Sequence, residues 1–471
     1  MKKVFTFLFT LLFSLGINAQ SNNSIAYNAV NDTFRTRYNQ QNFKDIYPLF
    51  SPDFQKKMSE NQLVDFLKNK VYAGFGAASK STLLKQDAKR AQYVWSSKNG
   101  EALFVFALDS LNHIMAFQFK PYEKPTHVSK SDNPMKTDFD KSVDNIARQY
   151  IDAGNNVGLS IGIVKDGQMT TYHYGTMDKK TMQLPNNQTI YEIGSITKTF
   201  TGTLLAQAIL DKKINLDDDI RKYLPEKYPN LEYNGQPILV RHLANHTARL
   251  AGLPKDFELK KDYDPKNPYK YYTTDMVLNY LHTIKLDTTP GVKAEYSNYA
   301  AGLMGIILEK IYKLSYADLV KKYISDPLSM NDTKIDILPK DSVLFAKPYL
   351  KDGQLTNYWD ITGLGAAGAI RSNIVDMLKY TQANMLQNNE ALKLAQQPTF
   401  TEDDNQSTAL YWQLLKSQRG QQITWHNGGT GGFSTFCGFS KALNVGVVLL
   451  ANNAGADMRG SGIKLLNMMG S

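Results

Sequence analysis

Residues 191–200 read Tyr-Glu-Ile-Gly-Ser-Ile-Thr-Lys-Thr-Phe and open an apolar run with helical spacing. Ser195 and Lys198 are three residues apart in this stretch, so a helix presents both on one face. The first turn of a helix also offers unpaired backbone N–H groups and a partial positive charge, and both stabilise a developing alkoxide. A serine hydroxyl needs such activation before it acts as a nucleophile. The stretch therefore predicts a nucleophile, Ser195, assisted by the amine of Lys198.

The same spacing recurs at Ser461-Gly462-Ile463-Lys464, close to the end of the chain. Little sequence follows it to supply partner groups, and the segment has the pattern of an ordinary amphipathic helix. We interpret this second copy as structural, so the spacing alone does not identify a site.

A second element, Tyr296-Ser297-Asn298, follows Pro290-Gly291 and precedes an apolar helical run. In an extended loop, side chains two residues apart point the same way, so the Tyr296 phenol and the Asn298 amide are expected to enter one site. A nearby positive charge favours the phenolate, which suits a tyrosine close to a lysine. The alternative is that Tyr296 packs and Asn298 caps the following helix.

A third element is the glycine-rich stretch 426–432, His-Asn-Gly-Gly-Thr-Gly-Gly. Glycines let a strand edge approach a ligand closely, which makes Gly428 and Gly429 candidates for contact with a substrate. One backbone N–H here, assigned to Gly429, can pair with that of Ser195 to form an oxyanion hole. A glycine-rich turn between strands is common and does not identify a site by itself. The interpretation therefore depends on the order in which the three elements occur.

In this order, the three elements resemble the signature of the serine β-lactamase and penicillin-binding-protein superfamily, over roughly residues 136–471. The Tyr-x-Asn form of the second element is similar to that of the class C β-lactamase and D,D-carboxypeptidase/esterase branch. Further stretches resemble the same branch, namely Leu216–Asp219, Tyr223–Pro225, Val240–Thr247, Asp326–Leu328 and Gly365–Gly368.

Two positions depart from that branch. Arg249 replaces a glycine that commonly follows the His-Thr segment. His426 stands where β-lactamases and many transpeptidases have lysine, a fixed positive charge that attracts a substrate carboxylate. Because histidine is only partly charged near neutrality, the resemblance favours the peptidase and esterase members.

The resemblance implies acyl transfer in two steps. Ser195 attacks a carbonyl while Lys198 and Tyr296 share the role of base, and which of the two takes the proton stays open. Tyr296 then protonates the leaving group with assistance from His426, and Asn298 positions the substrate amide. No metal and no organic cofactor is implied.

The sequence is compatible with three functions. The favoured one is a peptidase or esterase that acts on D-amino-acid peptides or small esters, with cell-wall-derived peptides among the candidate substrates. The alternatives are a class C-like β-lactamase and a non-enzymatic penicillin-binding receptor. An intact set of serine, lysine and tyrosine argues against the receptor, which has no need of turnover. No oligomeric state is predicted.

The first residues have the composition of a secretory signal. Two lysines precede an apolar run from Val4 to Ile17, and a small residue, Ala19, follows, so residues 1–19 are predicted to be a cleaved signal peptide. A retained membrane anchor is the alternative, although the run is shorter than the ~20 apolar residues that span a bilayer. The single cysteine, Cys437, allows no intramolecular disulfide, and no cysteine follows the signal to carry a lipid. We therefore expect a secreted or periplasmic protein without stable membrane insertion.

The formal net charge of +10 makes the chain moderately basic. Long-range attraction to an anionic surface or cell-wall polymer is one interpretation, and a solvated surface is the other. The sequence has no Cys/His finger and no basic run interleaved with aromatic residues, so nucleic acid is not an expected partner. The expected partner is a small-molecule or peptide substrate.

Two domains are predicted after the signal. Residues 20–125 carry two helical patterns followed by short strand-like runs between turn residues, which indicates a small α+β domain. Its outline resembles the small cone-shaped fold of the nuclear-transport-factor superfamily, and that resemblance implies no activity. Residues 120–135 contain three prolines and have linker composition. Residues 126–471 are assigned to the hydrolase domain.

The hydrolase domain is predicted from strands at both of its ends. Apolar alternation marks strands over 159–163 and 169–174, and short apolar runs mark two more over 436–439 and 445–450. The region between them is mostly helical, which indicates an α+β fold with one antiparallel sheet flanked by helices, plus a mostly helical subdomain. Residues 254–272, rich in Lys, Asp and Tyr, are expected to form a surface insertion.

Overall fold

The structure is a computed structural model that describes residues 24–86, 90–122, 129–152, 156–336, 339–387, 389–417 and 420–469. The predicted signal peptide and the predicted boundary at residue 125 both lie outside the described residues. The chain divides into two compact units, Met1–Val128 and Ser129–Ser471. Within the described ranges, no helix has the length and apolar character needed to cross a membrane.

The first unit combines short helices with an antiparallel sheet. Its helices are α1 (Ser24–Asn39), α2 (Phe43–Ile46), α3 (Pro52–Gln55), α4 (Glu60–Asp65) and α5 (Ala73–Phe75), with a 3₁₀ turn at Tyr47–Leu49 and a π-helical segment at Phe66–Tyr72. Its strands are β1 (Lys80–Gln86), β2 (Ala91–Ser97), β3 (Gly100–Leu108) and β4 (Ile114–Pro121). These strands pair in chain order, so the sheet is a meander.

An aromatic core joins this sheet to α1. Phe104 on β3 pairs with Phe119 on β4, and their rings stack with centroids 4.5 Å apart. Phe34 of α1 approaches Phe104 to 4.7 Å and Trp95 of β2 to 6.0 Å. Side chains two residues apart on a strand share a face, so these strands present their aromatic residues to the helix. The predicted small α+β unit is present.

The second unit contains the larger sheet and most of the helices. Its helices are α6 (Asp138–Ile151), α7 (Thr197–Leu210), α8 (Val240–Ala244), α9 (Thr274–Leu281), α10 (Asn298–Tyr312), α11 (Tyr316–Val320), α12 (Ile374–Leu386), α13 (Glu390–Ala395) and α14 (Met458–Met468). Its strands are β5 (Gly158–Lys165), β6 (Gln168–Gly175), β7 (Ile190–Glu192), β8 (Glu232–Tyr233), β9 (Gln236–Pro237), β10 (Arg371–Asn373), β11 (Phe400–Asp403), β12 (Gln406–Thr408), β13 (Gln413–Lys416), β14 (Gln422–Gly429), β15 (Ser434–Ser440) and β16 (Val445–Ala451).

The main sheet has the order β11-β12-β13-β14-β15-β16-β5-β6, and every neighbouring pair is antiparallel. Strands from the start and the end of the unit are neighbours in this sheet, because β16 pairs with β5. The predicted α+β fold with one antiparallel sheet is confirmed. The prediction located β5, β6, β15 and β16 and placed the glycine-rich stretch of β14 on a strand, but it missed β11, β12 and β13, which have only three or four residues each.

Both faces of the sheet are covered. On β16, Val447 and Leu449 belong to one apolar cluster with residues of α6 and α14, and Val448 and Leu450 belong to another with the helical subdomain. The alternation follows from the period of two along a strand. A strand buried on both faces is apolar throughout, and this explains the continuous apolar run over 445–450.

The structure of two segments differs from what we predicted from their composition. In the expected surface insertion, Phe257, Tyr269 and Tyr272 are buried, since they pack on the helical core. In the expected linker, residues 129–133 are tied to strand β6, because the N–H of Gly175 donates to the Lys130 carbonyl at 2.8 Å. Tertiary contacts outweigh composition in both segments.

Candidate active site

Ser195 lies in the 3₁₀ turn Gly194–Ile196, which leads from strand β7 into helix α7. The chain turns between them at Gly194, whose φ of 53° is the left-handed conformation that favours glycine. A Cβ on Gly194 would lie 2.7 Å from the backbone nitrogen of Gly429, so glycine is also needed for the two segments to approach this closely. Because the turn packs on the end of β14, Ser195 and Gly429 line the same cavity.

The Lys198 amine is buried and makes three contacts. It lies 3.0 Å from the Ser195 Oγ, 2.7 Å from the Asn298 Oδ1 and 2.8 Å from the carbonyl oxygen of Ala367. Burial lowers the pKa of Lys198 well below its ordinary value. A neutral amine has two N–H groups and one lone pair. In that form Asn298 and Ala367 can accept the two N–H groups, and the lone pair is then available to accept the Ser195 proton.

Asn298 reaches Lys198 because a different residue caps the helix that follows. The Ser297 hydroxyl accepts from the N–H of Ala300 at 2.9 Å and donates to the carbonyl of Ala251 at 2.7 Å. Ser297 is therefore the N-cap of α10, and the alternative that Asn298 serves as the cap is wrong. The Asn298 side chain is directed into the site.

Tyr296 joins the same group. Its ring centroid lies 4.8 Å from the Lys198 amine nitrogen. The residue as a whole stays 45 % exposed, yet burial raises the pKa of the phenol, and the Ser195 side chain only partly offsets this. The phenolate shift expected from a nearby lysine is therefore opposite to the direction that burial imposes on the pKa of Tyr296.

His426 lies on β14 behind this group and is buried. Its Nδ1 donates to the carbonyl of Asn427 at 2.6 Å, and its Nε2 has no hydrogen-bond partner among the described residues. Burial, reinforced by Lys198, lowers the pKa of His426 to about 3. The ring is thus neutral at physiological pH, whereas the sequence predicted partial charge. The Tyr296 ring is 6.4 Å away, measured between centroids.

His246 belongs to the stretch Val240–Thr247, and the structure places it against Tyr296. The two ring centroids are 4.6 Å apart. The His246 Nδ1 accepts from the backbone N–H of Ser297 at 3.2 Å, which fixes the loop that carries Tyr296. Burial lowers the pKa of His246 well below its ordinary value, and Lys198 and His426 add to this effect. His246 therefore supports the site without an assigned part in the chemistry.

The two candidate glycines of β14 have different surroundings. Gly429 lines the cavity. A Cβ on Gly428 would lie 2.0 Å from the carbonyl oxygen of Ile193, so Gly428 packs against the turn that presents the serine. Of the two predicted substrate contacts, the structure places Gly429 at the cavity and Gly428 behind it.

The cavity beside Ser195 has a volume of about 110 Å³. It is lined by Gly194, Ser195, Tyr269, Asn298, Trp359, Ile361, Ala367, Gly368, Gly429 and Thr430. The sequence prediction missed Tyr269, Trp359 and Ile361. The tyrosine-rich composition of residues 254–272 was the available signal for Tyr269, and it was interpreted as a surface feature.

Residues 143–465 match the protein family described as Beta-lactamase. A β-lactamase of Providencia stuartii is 28 % identical over 290 residues, which cover 61 % of this chain and 68 % of that protein.

Solved structures share the fold. A structure described as a β-lactamase/D-alanine carboxypeptidase from Pseudomonas syringae superposes with a TM-score of 0.61 at 23 % identity, covering 71 % of this chain and 98 % of that one. An octameric penicillin-binding protein homologue from Pyrococcus abyssi superposes with the same TM-score of 0.61 at 21 % identity, covering 70 % and 77 %. At 23 % and 21 % sequence identity, these superpositions show a shared fold alone.

Proposed function

This chain belongs to the Beta-lactamase family, and from that premise we propose that it is a serine hydrolase of the class C and D,D-carboxypeptidase/esterase branch. It forms an acyl-enzyme on Ser195 and acts on D-amino-acid peptides or small esters. The observation that carries this proposal is the contact set of Lys198, a buried amine with two acceptors for its N–H groups and a serine hydroxyl at its lone pair.

In the acylation step, Lys198 takes the proton of the Ser195 hydroxyl while Oγ bonds to the substrate carbonyl carbon. A buried amine with a lowered pKa loses its proton more readily than an ordinary lysine, and its neutral form can serve as a general base. The backbone N–H groups of Ser195 and Gly429 stabilise the oxyanion.

Tyr296 serves as the proton donor to the leaving group. Its raised pKa keeps the phenol protonated until the scissile bond breaks, and it then regains a proton from the Lys198 ammonium. In the second step, water gives a proton to Lys198 as it attacks the acyl carbon, and Lys198 returns that proton to the Ser195 Oγ as the acyl bond breaks. Asn298 holds the amine in place throughout and contacts the substrate amide.

A class C-like β-lactamase is the second candidate, favoured by the curated relatives that carry this activity in their names. His426 argues against efficient β-lactam turnover, because a buried neutral ring supplies no fixed positive charge. A chromogenic cephalosporin separates the two activities, since rapid turnover supports a β-lactamase. Stable acylation without release supports a penicillin-binding receptor.

The proposed function is tested by labelling with a fluorophosphonate probe and mapping the adduct by mass spectrometry. We expect the label on Ser195, and we expect Ser195→Ala to lose both the label and the hydrolysis of 4-nitrophenyl butyrate. Ser461→Ala is the matched control, because Ser461 begins the second Ser-x-x-Lys copy on α14. Label at another residue, or full activity in Ser195→Ala, contradicts the assignment.

We also propose a signal peptide and two domains. Residues 1–19 are a cleaved signal peptide that directs the protein to the periplasm or the medium. Residues 20–125 form a unit of the nuclear-transport-factor-like cone type, and residues 126–471 form the hydrolase domain. The four-stranded meander packed on α1 supports the assignment of the first unit.

A further inference from the structure

One wall of the cavity beside Ser195 is apolar and aromatic. Tyr269 is 7 % exposed, and its ring centroid lies 5.1 Å from that of Trp359 and 5.0 Å from that of Phe257. Ile361 extends this wall along the cavity. A wall of this kind favours an apolar substrate group, because such a group leaves water on binding.

The wall is joined to the catalytic group. The Asn298 Nδ2 donates to the Tyr269 hydroxyl at 3.4 Å, while the Asn298 Oδ1 accepts from Lys198 at 2.7 Å. One amide therefore contacts both the general base and the aromatic wall. A substrate group held against Tyr269 lies close to the reacting carbonyl.

The two segments that form the wall are also fixed to each other. The Asn267 Nδ2 donates to the Asp360 Oδ2 at 2.9 Å, and the N–H of Asp360 donates to the Asn267 Oδ1 at 2.8 Å. The N–H of Trp359 donates to the buried Glu192 carboxyl at 2.8 Å. The wall therefore exists before a substrate binds.

Cationic groups near the cavity already have partners. The Arg371 Nη2 donates to the carbonyl of Trp359 at 2.6 Å and lies 3.5 Å from Glu192. The contacts of Lys198 are taken by Ser195, Asn298 and a backbone carbonyl. The described residues that line the cavity include no lysine, arginine or histidine. A carboxylate placed against this wall would lose its hydration without gaining an ionic partner.

From these contacts we propose that the wall of Tyr269, Trp359 and Ile361 selects acyl groups that are uncharged and apolar, which makes neutral esters the substrate class of this site. The proposal rests on the proposed function and narrows it: substrates with a carboxylate beside the scissile carbonyl are disfavoured. Tyr269, Trp359 and Ile361 are thus specificity-determining residues.

The test compares two esters of equal acyl length, 4-nitrophenyl butyrate and 4-nitrophenyl hemisuccinate, with the full chain. We expect kcat/KM for the butyrate to exceed that for the hemisuccinate by ~50-fold or more, since the second ester must bury a carboxylate. Tyr269→Ala is expected to lower kcat/KM for the butyrate by ~10-fold. Tyr271→Ala is the matched control, because Tyr271 is 45 % exposed two residues away and should leave both values unchanged.

A gain-of-function variant makes the test independent of any loss of folding. Ile361→Lys places a cation at the partly exposed end of the wall, and we expect it to raise kcat/KM for the hemisuccinate at least ~5-fold, with Ile361→Met as the uncharged control. Equal kcat/KM for the two esters in the parent protein overturns this inference and leaves the proposed function standing. Ester hydrolysis that survives in Ser195→Ala instead overturns the proposed function.

Discussion

In the proposed mechanism, the burial of Lys198 sets the direction of proton transfer. Its neighbours are a hydroxyl, an amide oxygen and a backbone carbonyl, and none of them is a carboxylate that would hold the amine in its charged form. The sequence left open whether Lys198 or Tyr296 is the base. The opposite pKa shifts of the two groups arise because burial opposes charge on both, and they support the proposal that Lys198 is the base.

A single isosteric change tests this assignment through pH. Asn298→Asp puts a carboxylate 2.7 Å from the Lys198 amine and is expected to raise the lysine pKa. The base is active only when neutral, so activity falls as pH drops through that pKa. The acidic limb of the kcat/KM profile for 4-nitrophenyl butyrate should therefore move to higher pH by ~1–3 units.

The control for that profile is Asn279→Asp, which adds the same charge at an exposed position on α9. It should leave the acidic limb where it is in the parent protein. An unmoved limb in Asn298→Asp would mean that Lys198 is not the base.

At the scale of elements, the site depends on close contact between the nucleophile turn and strand β14. The turn carries Gly194, and the strand meets it at Gly428 and Gly429. Because Gly194 and Gly428 have no side chains, the two backbones approach within contact distance. The serine and the proposed oxyanion donor then lie in one cavity although more than two hundred residues separate them in the chain.

The two adjacent glycines of β14 should respond differently to the same substitution. In Gly428→Ala the new Cβ would lie 2.0 Å from the Ile193 carbonyl oxygen, so we expect a loss of ~1–3 kcal/mol in the free energy of unfolding. In Gly429→Ala the nearest heavy atom is 3.9 Å away, and the loss should stay within ~0.5 kcal/mol. Thermal or urea unfolding of both variants checks this, and equal losses would contradict it.

These contacts also explain what the sequence could predict. The nucleophile helix, the Tyr-x-Asn loop and the glycine-rich strand each have a local pattern, and the alternation of β5 and β6 made them visible as strands. The aromatic wall has no such local pattern. Tyr269 lies in a segment rich in charged residues, and its burial depends on Trp359, ninety residues further along the chain. Similarly, the pKa values of His426 and Tyr296 depend on burial, which no local spacing reveals.

For the whole molecule, the apolar clusters follow the division into two units. One cluster draws its residues from 27–119, and the other two draw theirs from 143–469. A unit whose hydrophobic core contains only its own residues can in principle fold alone. The cavity and all the proposed catalytic groups belong to the second unit.

The first residues of the second unit make contacts that a fragment of this unit must keep. The N–H of Ser129 donates to Asp152 at 3.1 Å, and the N–H of His173 on β6 donates to Asp132 at 2.7 Å. Together with the hydrogen bond from Gly175 to Lys130, these contacts make residues 129–133 part of the β6 edge. A cut after Val128 preserves that edge, and a cut before Lys136, within the predicted linker, removes it.

We therefore expect the fragment 129–471 to fold, to take the fluorophosphonate label on Ser195 and to hydrolyse 4-nitrophenyl butyrate at close to the rate of the full chain. The fragment 136–471 is the matched comparison and should have a lower Tm, because the loss of the edge segment leaves backbone groups of β6 without their partners. Thermal unfolding and ester hydrolysis of both fragments measure this. An unfolded or unlabelled 129–471 fragment would show that the second unit needs the first, and the separate cores would then not be sufficient for independent folding.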